Sequence, residues 1–165
     1  MASPAPGRCR RAASGHRRVA GRVLVVTRGI LDTSTVVDLS RVDVDDLPDE
    51  PLITTITLAE LTIGPLVART DQQRAARQGV LQQAEVSFDP IPFDAQAARA
   101  FGHVAAALRA SGRKPQARSF DALIAAVAIS HGLPIHTAHP GDFSSIDDLK
   151  VVPVRRVDAP DAGPP

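Results

Sequence analysis

Four acids stand where apolar runs begin or end: Asp32 after GIL, Glu60 inside TLAEL, Asp121 at the head of DALIAAVAI, and Asp142 in the turn HPGDF. Carboxylates gathered at one place repel, by about 4 kcal/mol for a pair 4 Å apart at an effective dielectric near 20, so a cluster demands a cation or a proton. Hard oxygen donors select Mg²⁺, with Mn²⁺ as a substitute, over zinc or copper. A metal held this way can deprotonate a bound water for in-line attack on a phosphodiester and neutralise charge growing on the phosphate. Hydrolysis of phosphodiesters is therefore the chemistry that Asp32, Glu60, Asp121 and Asp142 together can do.

Each acid also has a plain structural alternative. Asp32 can N-cap the helix that starts at Thr33, and Asp121 can cap the helix it opens. Glu60 lies three residues after Thr57, the spacing of a capping box, and favours the positive end of a helix dipole. Asp142 fits an ordinary Asx-type turn. What weighs against four separate coincidences is placement, since every acid falls at a strand end or helix start on one expected edge of a sheet, and ligands of open α/β sheets bind at the carboxyl ends of strands. Thr33 and Thr137 can orient a metal-bound water or a phosphate, or serve as turn and strand-end residues. His136, His139 and Asp142 form a rival zinc set, disfavoured because His136 falls in a strand and His139 lies across a turn from it.

The elements that must position these residues alternate between apolar runs and amphipathic stretches, the pattern of a parallel sheet covered by helices. Val23–Leu31 reads as a buried strand ending at Asp32, and 33–40 as a short helix with Val36, Val37 and Leu39 inward. The acidic connection RVDVDDLPDEP leads to a strand over 52–56 and a helix from the cap Thr57 to Leu66. A polar helix over 71–84, a strand over 87–91 and a helix over 94–110 capped by Asp94 follow, the last with Ala97, Phe101, Val104, Ala105 and Leu108 on one face. The basic loop SGRKPQAR offers Arg113, Lys114 and Arg118 to an RNA backbone. A helix that is apolar all round, over 122–130, must be buried, with Gly132 just past its end. Strands over 134–137 and 150–154 complete the reading.

At 165 residues and 44% apolar composition the chain holds one α/β domain. We place it at 23–155, between a basic tail (1–22) and a short end (156–165), both without apolar periodicity and expected to be disordered. Of the 19 Lys and Arg, seven fall in residues 1–28, leaving 12 basic residues against 18 acidic ones for the rest. The tail reads as an over-extended start or a loose segment, with tethering of RNA by its arginines as the functional alternative. No apolar run is long enough to span a bilayer. The single Cys9 excludes a disulfide framework and a thiolate metal cluster, which fits a reducing cytoplasm. The absence of Trp and Tyr removes the platforms on which single-strand binders stack bases.

Taken together, GILDTSTVVDL (29–39), TTITLAELTIG (54–64), RSFDALIAAVAISHGLPIHT (118–137) and GDFSSIDDLKVVPV (141–154) resemble the PIN-domain ribonucleases that act as VapC-type toxins of bacterial toxin–antitoxin pairs. The resemblance runs from about Val25 to Val154. It implies a three-layer PIN-like fold with a central parallel sheet of four to five strands, and an endoribonuclease acting on structured RNA, tRNA or ribosomal RNA. It implies magnesium held chiefly by Asp32 and Asp121, with Glu60 as the acid on the helix after the second strand. It further implies a homodimer and a hetero-oligomer with a small VapB-type antitoxin, whose Arg-bearing tail can pair with the acids. One departure stands out: the family often carries Asn or Asp three residues before the DF pair, where this chain has His139.

Two other readings compete. Haloacid-dehalogenase-like phosphatases also end a first strand on Asp, but they need a second Asp two residues later, where this chain has Ser34, and the lysines available are Lys114 and Lys150. A PIN fold turned binding module would keep the scaffold and lose the cutting; the intact Asp32, Glu60 and Asp121 argue against it.

Overall fold

The structure, a computed structural model, describes residues 16–19, 22–111 and 119–157. Four short strands form one wholly parallel sheet: β3 (Arg28–Leu31), β4 (Glu50–Leu52), β5 (Ile135–Thr137) and β6 (Val151–Pro153), in the order β4-β3-β5-β6. Ile30 lies opposite Leu52 on one side and Ile135 on the other, and Ile135 opposite Val151. A separate antiparallel ribbon joins β1 (His16–Val19), inside the segment read as a tail, to β2 (Arg22–Val25).

Side chains of successive strand residues point to opposite faces, and β3 shows what this does. Ile30 packs with Ala97, Val104, Leu108 and the apolar residues 124–128 on one face, while Leu31 packs with Val36, Ile53, Leu61, Leu81 and Ala84 on the other. The first face is covered by α4 (Ala95–Ala110) and α5 (Ser119–His131), the second by α1 (Thr33–Val37), α2 (Thr55–Leu66) and α3 (Asp71–Ser87). Helix, sheet and helix make the three layers expected from the sequence.

Helix α5 is buried along Ile124–Ala128, as its all-round apolar sequence requires. It stops at Gly132, whose φ of 63° suits a residue without a Cβ. The Gly132 N–H donates to the Ile129 carbonyl at 3.1 Å and the Leu133 N–H to the Ala128 carbonyl at 3.0 Å, a Schellman closure that turns the chain directly into β5. Asp94 caps α4 by accepting from Gln96 and Ala97 N–H groups at 2.9 Å, as expected.

Several boundaries differ from the sequence reading. The strand expected over Val23–Leu31 is broken at Val26 and Thr27, because the Thr27 N–H and hydroxyl both donate to Asp49 Oδ2 (2.8 and 2.7 Å). The first helix ends at Val37, where the Asp38 N–H closes on Ser34, and a 3₁₀ turn follows at Leu39–Arg41. Val37 is 51% exposed rather than inward. Helix α2 begins two residues before Thr57 because Thr54 is the cap, its hydroxyl accepting the Thr57 N–H at 3.0 Å. The second strand is correspondingly displaced from 52–56 to Glu50–Leu52, and Glu60 sits beyond the first turn of α2, so the capping box is not formed. Helix α3 runs to Ser87, past the expected Ala84; in place of a strand over 87–91, Ile91 makes one isolated bridge to Thr54.

Candidate active site

Asp32 follows β3 at the carboxyl end of the sheet and is 5% exposed. One of its suggested roles, the cap of α1, is visible in its side chain. Oδ1 accepts the Thr35 N–H at 2.9 Å and caps α1, while Oδ2 accepts the Thr137 hydroxyl at 2.9 Å and the Ser34 hydroxyl at 2.9 Å. Thr137, at the end of the neighbouring strand β5, is fully buried, and its oxygen also accepts the His139 N–H at 2.9 Å. Two adjacent strand ends are thus tied through a single carboxylate.

Glu60, half-buried on α2, accepts a short hydrogen bond from the Thr33 hydroxyl. Burial pushes its carboxyl above the usual glutamate range, and the nearby Asp32 charge adds to this against the opposing Thr33 hydrogen bond. Asp121 lies in the first turn of α5 as its third residue, and Asp142 closes a 3₁₀ turn at Pro140–Asp142. The four acids expected from the sequence, with Thr33, line one open cleft of about 370 Å³. Thr137 stands behind it as the support for Asp32.

The acids share the cleft without closing into a cage: among the described residues, no three His, Cys, Asp or Glu side chains are gathered closely enough to hold a metal ion. The donor set is nonetheless all hard oxygen, and Glu60 is a half-buried acid whose charge is disfavoured where it stands, which is the character of a site that a divalent cation completes.

The zinc set does not assemble. His136 alternates with Thr137 along β5, so its ring leaves the cleft; Nδ1 meets the Asp46 carbonyl at 2.8 Å and the ring lies over Gly29. A Cβ on Gly29 would come within 2.5 Å of His136 Cδ2. Only His139 reaches the cleft, with Nδ1 3.2 Å from the Ser34 hydroxyl. The RNA-contacting candidates Arg113, Lys114 and Arg118 lie outside the described residues.

The sequence reading missed three cleft residues: Ser34 and Asp38 from the α1 segment, and Arg156 beyond β6. Ser34 and Asp38 carried a signal, being two and six residues after Asp32 on a short helix and its end. Arg156 carried none, because it meets the site only after the sheet is assembled.

A second, apolar cavity of about 570 Å³ lies between α1 and α3 and is lined by Val36, Val37, Leu39, Val80, Ala84 and Phe88 among others. A smaller one, bounded by Thr33, Val37, Glu60, Leu61, Arg77 and Val80, shares Val37 and Val80 with it and Thr33, Val37 and Glu60 with the acidic cleft. No helix among the described residues is long and apolar enough to cross a membrane.

Comparison with known proteins agrees with this architecture. The sequence profile of the PIN domain matches residues 30–149. The chain is 36% identical over 132 residues to the ribonuclease VapC5 of Mycobacterium tuberculosis, covering 78% of this chain and 95% of that protein. Among solved structures, VapBC-5 of M. tuberculosis, a member of the VapBC family of toxin–antitoxin systems, superposes with a TM-score of 0.68 at 35% identity, covering 77% of this chain and 98% of that one. VapBC2 of Rickettsia felis, bound to a DNA fragment from its promoter, shares the fold with a TM-score of 0.62 at 21% identity, covering 78% and 100%. With the family profile matching residues 30–149 and a relative of 36% identity covered over 95% of its length, the chain belongs to the PIN-domain family, among the VapC-type ribonucleases.

Proposed function

We propose that this chain is the toxin of a toxin–antitoxin pair, an endoribonuclease that uses Mg²⁺, or Mn²⁺ in its place, to cut structured RNA. The observation that carries the reading is the convergence of Asp32, Glu60, Asp121 and Asp142, from four separate elements, on one cleft at the carboxyl edge of the sheet.

Asp32 and Asp121 would hold the metal, with Glu60 and Asp142 contributing directly or through water. When bound, the metal supplies a more acidic water and offsets charge on the phosphate under attack. The protein's own part is positioning. Thr137 and Ser34 fix the Asp32 carboxylate, Thr33 fixes Glu60, and the α1 cap keeps the Asp32 backbone in place. Neighbouring carboxylates repel one another, and a divalent ion between them reverses the sign of that force. Glu60, held by Thr33 and lining the cleft, is placed to take a proton from a water there.

The substrate class, tRNA or ribosomal RNA, follows from the resemblance to VapC toxins. The lack of Trp and Tyr fits recognition through RNA shape and backbone rather than base stacking. The partner would be a VapB-type antitoxin whose apolar segment lies in the α1–α3 cavity and whose arginine enters the acidic cleft, since the two lie side by side with Val37 lining both. Expression of the chain alone should arrest growth of a bacterial host; Asp121→Asn should abolish the arrest, and so should co-expression of the antitoxin encoded beside the gene. Growth unaffected by abundant, folded wild-type chain would count against a toxin.

A further inference from the structure

Arg156 enters the acidic cleft from beyond the last strand. It lines the same cavity as Asp32, Glu60, Asp121 and Asp142, and among the described residues lining that cavity it is the one lysine or arginine. Its backbone is held in place, bridged antiparallel to Val42, with the next residue, Val157, donating its N–H to the Arg41 carbonyl at 2.8 Å.

The residue before it already serves as the fastening. Arg155 donates to both Asp46 oxygens (2.8 and 3.0 Å) and pairs with Asp43 at 2.7 Å, holding the Asp46 carboxyl below the usual range. Arg156 is used differently. Its Nη2 meets Asp38 Oδ2 at 2.5 Å on the rim of the cleft, and its side chain stays 51% exposed against 22% for Asp38. One contact at Nη2 engages part of a planar fork of five donors, whose geometry matches a phosphate in two-point fashion.

RNA approaching this cleft meets five carboxylates, counting Asp38. A divalent metal among Asp32, Glu60, Asp121 and Asp142 would offset two of those four charges, and Asp38 adds a fifth carboxylate that the phosphate must pass. We propose that Arg156 is a substrate-positioning residue that binds a phosphate of the RNA at the mouth of the cleft, in competition with its pairing to Asp38. This inference rests on the nuclease reading, and it adds a phosphate contact from a segment that the sequence patterns leave unread.

The test compares full-length wild-type, Arg156→Gln, Arg156→Lys and Asp38→Asn proteins in two assays: cleavage of mixed tRNA and ribosomal RNA with Mg²⁺, and binding of fluorescently labelled mixed tRNA at several salt concentrations in an Asp121→Asn background. Arg156→Gln should raise KM about tenfold, the scale of one charge-assisted contact, with kcat little changed. It should also lower the slope of log affinity against log salt by about one. Arg156→Lys should keep the slope and lose part of the affinity, because it keeps the charge without the fork. Asp38→Asn should tighten binding, since it removes an anion and releases the guanidinium.

An unchanged KM and salt slope in Arg156→Gln would overturn the proposal. So would equal loss of binding and of melting temperature in Arg156→Gln and Asp38→Asn, because a pair that merely fastens the chain behaves that way. If wild-type protein cuts no RNA, the nuclease reading fails, and the salt slopes still decide the role of Arg156; absence of any tRNA binding rejects it.

Discussion

The Thr137 hydroxyl donates to Asp32 Oδ2 at 2.9 Å, while the other oxygen of that carboxylate accepts the Thr35 N–H at 2.9 Å. The candidate metal ligand is thereby oriented from two sides, by the adjacent strand and by its own helix. Thr137→Val keeps the shape and removes the donor. Metal affinity or cleavage rate should fall about 10- to 100-fold, as for other groups that orient a ligand. Stability should fall by about 1–3 kcal/mol, because the His139 N–H loses its acceptor as well. Thr137→Ser should recover most of both, measured by metal titration and urea unfolding.

Asp32→Asn separates the two roles of that side chain. Asn caps helices about as well as Asp, so the variant should unfold at nearly the same urea concentration as wild type. Cleavage should drop about 100-fold or more, the scale of losing an electrostatic contact to developing charge. A variant that instead unfolds while keeping its specific activity would reduce Asp32 to a cap.

Metal should stabilise the fold through the same acids. Mg²⁺ or Mn²⁺ at about 100 times its Kd should add about 2.7 kcal/mol, seen as a rise in melting temperature. The rise should be reversed by EDTA and absent in an Asp32→Asn and Asp121→Asn double variant. Equal shifts in the double variant would place the metal elsewhere.

His136, packed over Gly29, should give the stability a pH dependence. Burial lowers the His136 pKa below its ordinary 6.5, ahead of the opposing Asp46 hydrogen bond. A histidine with a depressed folded pKa contributes stability that is present above 6.5 and lost as the pH falls towards the folded value, because the unfolded chain takes the proton first. Unfolding free energy should therefore decline as the pH falls below 6.5, and His136→Gln should flatten that decline. Gly29→Ala should cost about 1–3 kcal/mol by driving a Cβ into the ring. A Gly29→Ala protein as stable as wild type would show that the ring moves aside freely.

The parts legible in the sequence were those set by strong local patterns. The apolar run Ala122–Ile129 could only be a buried helix, Gly132 its end, and Asp32 and Asp142 the acids flanking strands that bring them together. Local ambiguity hid other features. Thr54 and Thr57 are both competent caps, and only the chain path from β4 selects Thr54. His136 and His139 look like one cluster in sequence, but the two-residue period of β5 sends His136 to the Gly29 side. The ion pair between Asp38 and Arg156 joins opposite ends of the domain, so no spacing rule could show it.

The most direct measurement is mapping of new 5′ ends after total bacterial RNA is incubated with purified protein and Mg²⁺, beside parallel samples with EDTA and with Asp121→Asn. A metal-dependent nuclease at this cleft gives cuts at a few sites in structured RNA, lost in both controls. Equal cutting by folded Asp121→Asn, or none by folded wild-type protein across that RNA, would contradict the assignment of catalysis to these four acids.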